Sequence, residues 1–565
     1  MSATKQLEFE VQGMTCATCA QHVERALQKV SGVIAAKVPG WESGQASVTI
    51  EGSVNRAELE AAVAKAGYRA ALKPANGQPR AAVPFIRRGQ EGGPFHLMVI
   101  GGGSAGFAAA IEGGELGYQV ALVEAETIGG TCVNIGCVPS KALIRATEHY
   151  HRAGEHPFRG VQTMAGALDW AEVVAHKDEL VAEMRQAKYA DVLAAYPNVT
   201  YIQGRAVLTG GNGVEIDHST AVGGGAIPYA PDKIILSTGA SPWVPPIPGL
   251  AETGYLTSTT AMELDELPRS MIVLGANAVG LELAQTFARA GTNVIVLELL
   301  ARIAPFEDEA ISAALHGYLE EEGLRIVTGY QAKQVDRQNG RYTLTGTRAG
   351  EEMSFEAEQL LVAAGRRPNT AGLGLEAAGI RLGERGEVIV DDSLQTANPD
   401  IYAVGDVTGR DLFVYTAAYA GGLAAENALT GSANPYETAY IARITFTDPQ
   451  IASAGLTEEQ AVEQGYAVKT SVVPMAFVPR ALAARDTRGL IKLVADDSTG
   501  KLLGAHILAP EAGEVIQTAS LALKLGLTVE DLRDTIFPYL TNVEGIKLAA
   551  LAFEKDVALL SCCAG

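Results

Sequence analysis

His96-Leu97-Met98-Val99-Ile100-Gly101-Gly102-Gly103-Ser104-Ala105-Gly106 is an apolar run that breaks into glycines and continues as an Ala-rich stretch. The run has the character of a buried strand and the Ala-rich stretch that of a helix. The glycines between them stand at the G-x-G-x-x-G spacing. In that setting Gly101, Gly103, Ser104, Ala105 and Gly106 let the backbone approach a pyrophosphate lodged at the start of the helix. The next predicted strand, Gln119–Val123, runs into Glu124, whose carboxylate can accept the ribose hydroxyls. A Rossmann-like dinucleotide fold follows.

The pattern occurs twice. Met271-Ile272-Val273-Leu274 leads into Gly275, Asn277 and Gly280, and the following strand closes at Glu298. Asn277 takes the middle glycine position, a mild departure. Two such folds imply two dinucleotides, or one used twice; for a redox enzyme the first is simpler.

Between the two folds lies Gly129-Gly130-Thr131-Cys132-Val133-Asn134-Ile135-Gly136-Cys137-Val138-Pro139-Ser140-Lys141. Four residues separate the cysteines, so a helical turn can bring both sulfurs together beside a cofactor. A thiolate at a helix start, near a cation, stays nucleophilic at neutral pH.

The composition sets the frame. A chain of 565 residues has room for several cores, and 47% hydrophobic with 19% charged residues excludes a disordered or fibrous protein. The net charge of −21 opposes nonspecific binding to nucleic acid or an anionic membrane. It leaves solubility or a salty habitat as its reading. The six cysteines fall into three tight pairs, Cys16/Cys19, Cys132/Cys137 and Cys562/Cys563, unlike a secreted disulfide framework. The N-terminus has no apolar signal core and no apolar run reaches spanning length, so the expected location is the cytoplasm.

Residues 1–73 read as a separate unit. Strand-like LEFEVQG leads through Gly13-Met14-Thr15-Cys16-Ala17-Thr18-Cys19 into a helix with Val23, Ala26, Leu27 and Val30 on one face. Strands around Ile34–Val38 and Ala46–Ile50, a helix over about Arg56–Ala66 and a strand Tyr68–Leu72 complete a βαββαβ order, that of a ferredoxin-like sandwich. Residues 74–94 gather Pro, Gly, Arg and Gln and read as a flexible tether or an ordered excursion.

The cysteine segment and the two glycine loops resemble those of the flavin-dependent pyridine nucleotide–disulfide oxidoreductases, the family of glutathione reductase and dihydrolipoamide dehydrogenase. The resemblance covers roughly residues 95–565. It implies an FAD-binding domain over 95–240 and 370–434, an NAD(P)-binding domain over 241–369 and an α+β dimerisation domain over 435–565. FAD would contact the first glycine loop, Glu124, Gly130, Thr131, Cys132, Lys141, Thr238, Gly239 and Asp406. The nicotinamide dinucleotide would sit at Gly275, Asn277, Gly280 and Glu298. Lys141 and Glu282 would pair beside the flavin, with Cys137 the flavin-proximal thiol and Cys132 the interchange thiol.

The two ends refine the expectation. Disulfide-reducing relatives carry a His-Pro-Thr-x-x-Glu-like proton donor near the C-terminus; here Tyr539 stands at the histidine position, and a phenol is a poor proton shuttle at neutral pH. Adjacent Cys562 and Cys563 cannot form an easy disulfide, which suits capture of a soft cation. The Gly-Met-Thr-Cys-x-x-Cys segment resembles the loop of heavy-metal-associated domains; its other readings are a zinc half-site with His22 or a thioredoxin-like pair. As a whole the chain is similar to the mercury-reducing branch of the flavoprotein family. That implies Hg(II) as substrate, relayed from Cys16/Cys19 to Cys562/Cys563 to Cys132/Cys137, with Tyr189 and Tyr539 near the metal. It implies a homodimer with an active site shared between subunits, Hg(II)–thiol complexes and a mercury transporter or carrier as partners, and NADPH as the usual donor. Glu298 instead favours NADH, with Arg302 four residues on as a possible counterweight. The rivals are a decorated disulfide reductase and a metal-trafficking protein.

Overall fold

The computed structural model describes residues 4–12, 17–30, 32–39, 45–51, 59, 62–63, 69–72, 95–217 and 225–559. The chain forms two units, Met1–Arg88 and Gly89–Gly565.

In the first unit β1 (Thr4–Gln12), α1 (Ala17–Gln28), β2 (Val33–Lys37), β3 (Gln45–Glu51) and β4 (Arg69–Leu72) build an antiparallel sheet ordered β2-β3-β1-β4. Phe9 and Val11 from β1, Val23 and Leu27 from α1, and Val48 and Ile50 from β3 close one apolar core. Of the expected second helix, residues 59, 62 and 63 are described and are helical. Val30 packs on the core just beyond the end of α1 rather than within it. Cys16 and the tether over 74–94 lie outside the described residues, as do Cys562 and Cys563. Cys19 lies on α1, its side chain outside what is described.

The second unit opens with β5 (Leu97–Ile100), buried at every position, as a continuous apolar run in a parallel sheet covered on both faces must be. It is the middle of five parallel strands, flanked by Lys233–Leu236 and then Ile401–Ala403 on one side, and by β6 (Val120–Glu124) and then Val199–Gln203 on the other. α2 (Ser104–Glu115) leaves β5 through the glycine loop, and α3 (Gly130–Ile135) and α4 (Cys137–Gly154) carry the cysteine segment. The arrangement then repeats. β7 (Ser270–Leu274) and β8 (Asn293–Leu297) lie at the centre of a four-stranded parallel sheet, and α5 (Ala278–Arg289) follows the second glycine loop.

A five-stranded antiparallel sheet completes the unit, in the order Arg443–Thr445, Gln450–Gly455, Leu502–Ala509, Leu490–Asp496, Val468–Pro474. Helices Ala512–Lys524 and Glu544–Leu551 cover one face. A buried charge cluster clamps this sheet to α5. Arg289 reaches Glu322 at 2.6 Å and Asp448 at 2.9 Å, and Arg488 reaches Asp448 at 3.0 Å. Burial works against the Asp448 carboxylate, yet Arg488, Arg289 and Arg152 hold its pKa below the usual range. The clamp matters because it fixes the segment Phe446–Asp448 next to the cysteines' neighbours. The architecture is α/β: two Rossmann-like folds and an α+β domain, preceded by the ferredoxin-like unit.

Candidate active site

The two glycine loops match in detail. Gly101 and Gly275 both adopt φ +110°, a left-handed value that strains any residue with a Cβ. A Cβ at Gly106 would stand 1.9 Å from Gly101 O, and one at Gly280 would stand 2.0 Å from Gly275 O. Only glycine lets each helix begin this close to its strand, leaving the helix N-terminus open to a pyrophosphate. The acids repeat as well. Glu124 accepts from Gly102 N at 2.6 Å and Glu126 N at 2.7 Å, and Glu298 accepts from Ala276 N at 2.7 Å and Leu300 N at 2.8 Å. Asn277 is extended, with φ −101°, so its Cβ is accommodated and the departure from glycine costs no backbone strain. These cradles fit a dinucleotide each.

A cavity of about 660 Å³ runs from the first loop past Glu124 to the cysteine pair and Asp406. Every residue expected at the first nucleotide lines it except Gly106, which lies buried beneath the loop. From the second fold Val279 and Glu282 on α5 reach the same cavity, whereas Gly275, Asn277, Gly280 and Glu298 do not. Asp406 stands at the far wall on a turn of 3-10 helix, 3.7 Å from Arg366 Nε. Burial raises its pKa and Arg366 opposes the rise. Thr238 Oγ1 donates to Asn369 O at 2.8 Å, fixing the strand exit on the other side.

The cysteines meet across a helix break rather than on one helical turn. Gly136, at φ −133° and ψ −106°, ends α3 and starts α4, so Cys132 lies in the first turn of one short helix and Cys137 opens the next. Cys137 therefore takes the helix dipole directly. Both thiols are free. A hydrogen bond from the Cys132 thiol, helped by Lys141, brings Cys137 down to about 7 against burial and Glu282. The same hydrogen bond, with burial and the neighbouring thiolate, pushes Cys132 well up. One sulfur is thus a thiolate near neutrality and the other holds a proton for it.

Lys141 Nζ lies 2.7 Å from Glu282 Oε2 and 4.4 Å from the centre of the Phe446 ring. The other Glu282 oxygen accepts from Phe446 N at 2.8 Å. Glu282 is buried, so the salt bridge and this backbone donor together satisfy it. Tyr189 sits on a π-helical segment, Gln186–Ala190, with its ring edge-on to Phe107 at 4.7 Å. Burial raises its pKa; a hydrogen bond with Ser104 opposes this, and the thiolates of Cys132 and Cys137 add to it. Tyr539 does not line the cavity in its own chain. It lies 53% exposed on the turn before Glu544, whose carboxylate accepts from Leu540 N at 3.3 Å. Phe446, Arg366 and Tyr415 were not expected from sequence. Tyr415, whose hydroxyl donates to Ala442 O, lies within electrostatic reach of Cys137.

Residues 95–422 match the family Pyridine nucleotide-disulphide oxidoreductase, residues 441–550 its dimerisation domain, and residues 8–69 the heavy-metal-associated domain. Mercuric reductase of Staphylococcus aureus is 44% identical, with 99% of each chain covered. That of Streptomyces lividans is 46% identical over 83% of this chain and 98% of its own. Among solved structures, the Cu(II) complex of the HOCl-induced flavoprotein disulfide reductase RclA from Escherichia coli superposes with a TM-score of 0.73. It is 30% identical, covering 81% of this chain and 99% of its own. No helix among the described residues is long and apolar enough to cross a membrane. With two matching nucleotide cradles, a cysteine-lined cavity that runs from the first of them, and likeness sustained along the chain, the protein belongs to the pyridine nucleotide-disulphide oxidoreductases, in their mercuric reductase branch.

Proposed function

We propose that the chain is an NAD(P)H- and FAD-dependent mercury(II) reductase that converts thiolate-bound Hg(II) to Hg(0). The observation that carries this reading is the pair Cys132/Cys137 beside Lys141 and Glu282, in a chain whose Tyr539 replaces the proton donor a disulfide reductase needs. Two thiolates suit a soft cation. Neutral metal leaves them without taking a proton.

Cys137 attacks as a thiolate without the help of a base, since its pKa is about 7. Lys141 steadies the negative sulfur, and Glu282 keeps the ammonium in place. Cys132 then gives its proton to the departing carrier thiolate and becomes the second sulfur ligand. Glu124, Thr131, Lys141 and Asp406 would hold FAD, which would supply the metal with two electrons drawn from the nicotinamide. In sum, NAD(P)H and Hg(II) give NAD(P)+, a proton and Hg(0), and both thiolates are returned. Tyr189, whose phenol burial keeps protonated, donates a hydrogen bond to a cysteine sulfur that carries the metal.

Delivery uses the other two pairs. Cys16/Cys19 capture Hg(II) from small-thiol complexes or a carrier and pass it to Cys562/Cys563. That tail serves the cavity of the opposite subunit, as does Tyr539, so the working unit is a homodimer in the cytoplasm. Each handover is an associative exchange in which one thiolate enters as another leaves. The domain limits 95–240 with 370–434, 241–369 and 435–565 follow this division of labour.

The test is NAD(P)H oxidation in excess thiol with and without Hg(II), with the mercury vapour collected. Oxidation that depends on Hg(II) and stops in Cys132→Ala supports the reading. Oxidation that ignores Hg(II) and responds to a small disulfide instead would sink it.

A further inference from the structure

We infer that the nicotinamide dinucleotide carries no 2′-phosphate: the second fold is built for NADH, with Glu298 as the residue that selects it. The inference rests on the reading above that this fold holds a nicotinamide donor.

The chain contains its own standard. The adenosine ribose of FAD has free 2′ and 3′ hydroxyls, and Glu124 is the carboxylate placed to accept them. Glu298 reproduces its setting relation by relation. Glu124 is the last residue of its strand and Glu298 the first beyond its own, and each takes a hydrogen bond from the second residue of its glycine loop, at 2.6 Å for Glu124 and 2.7 Å for Glu298. Each also takes one from the residue two places on, at 2.7 and 2.8 Å. These bonds use one acceptor site on each oxygen. The sites that remain can only accept, so the partner must be a donor such as a ribose hydroxyl. A 2′-phosphate is mostly dianionic at neutral pH, so it has little proton to donate and sets its charge against a carboxylate that burial leaves poorly screened.

An NADPH site offsets this with cations on the loop after the strand, and here they are absent or engaged. Leu299 and Leu300 occupy the next two positions and are exposed. Arg302 donates through Nη2 to the carbonyls of Pro305 at 3.1 Å and Glu307 at 3.3 Å, which turns its guanidinium back into its own loop.

The FAD-loaded enzyme should be titrated calorimetrically with ADP-ribose and with 2′-phospho-ADP-ribose, which probe the adenosine end without redox chemistry. ADP-ribose should bind at least ~10-fold tighter, about 1.4 kcal/mol. In Glu298→Ala/Leu299→Arg the ratio should fall by ~10-fold or more, while the flavin spectrum reports an intact fold. Equal or tighter binding of the 2′-phosphorylated probe to the native chain overturns the inference and leaves mercury reduction standing. Failure of both probes to bind overturns the inference together with the nicotinamide reading beneath it. An unchanged ratio in the double variant removes Glu298 as the determinant.

Discussion

Lys141 Nζ and Glu282 Oε2 lie 2.7 Å apart although 141 positions separate them in the chain. The pair joins the cysteine helix α4 to α5 of the second nucleotide fold, and its two members act on Cys137 with opposite sign. Lys141→Met removes an influence that favours the thiolate, so the thiolate's titration midpoint should rise. Glu282→Gln removes one that disfavours it, so the midpoint should fall. Following thiolate ultraviolet absorbance against pH in both variants checks the pair; shifts of the same sign would contradict the assignment.

The cysteine pair itself gives a pH prediction. Cys137, lowered to about 7, is thiolate above that pH and protonated below it. In the two-electron-reduced enzyme the long-wavelength thiolate-to-flavin band should therefore grow with a midpoint near 7. Further below the midpoint it should fade ~10-fold per pH unit. Cys137→Ala should abolish the band. Cys132→Ala should keep it but shift its midpoint upward, because the hydrogen bond from Cys132 is the largest influence holding Cys137 down.

The twin glycine loops separate the two nucleotides experimentally. Gly106→Ala places a methyl 1.9 Å from Gly101 O and should weaken FAD retention, measured as flavin content after dialysis. Gly280→Ala places one 2.0 Å from Gly275 O and should leave flavin content unchanged while weakening ADP-ribose binding. Overpacking of this kind costs about 1–3 kcal/mol. Loss of flavin from Gly280→Ala would argue against assigning one nucleotide to each fold.

For the tail, Cys562→Ala/Cys563→Ala should retain FAD and nicotinamide binding but lose turnover of Hg(II) in excess thiol. A tethered pair acts at millimolar effective concentration, so the loss should reach ~10²-fold at low substrate. Normal turnover would remove the tail from the relay.

Much of the site can be read from the chain because its chemistry is local. Gly101, Gly106, Cys132 and Cys137 carry their meaning in short spacings, since each spacing answers a backbone or sulfur constraint a few residues long. Lys141 and Glu282 follow from the family resemblance, and the structure brings them together. Phe446 and Arg366 had no such signal. Phe446 matters because the buried Arg289–Asp448–Arg488 cluster anchors its segment against α5, a consequence of long-range packing. Arg366 meets Asp406 only after two distant strands are threaded. The helix break at Gly136 was also missed, because the spacing of the cysteines suits one continuous turn as well as two abutting helices.

The Gly101/Glu124 and Gly275/Glu298 settings repeat one another, and in the proposed reading both would hold the same moiety, the ADP half common to flavin and nicotinamide cofactors. Neither grip can tell one cofactor from the other. Sorting falls to what lies beyond the pyrophosphate, where the first fold opens into a long cavity walled by cysteines and Asp406. An adenylate without a second half would meet the same groups at both loops and leave the long cavity empty. On that reading a flavin is told from a bare adenylate by its length, through the cavity wall beyond the first glycine loop.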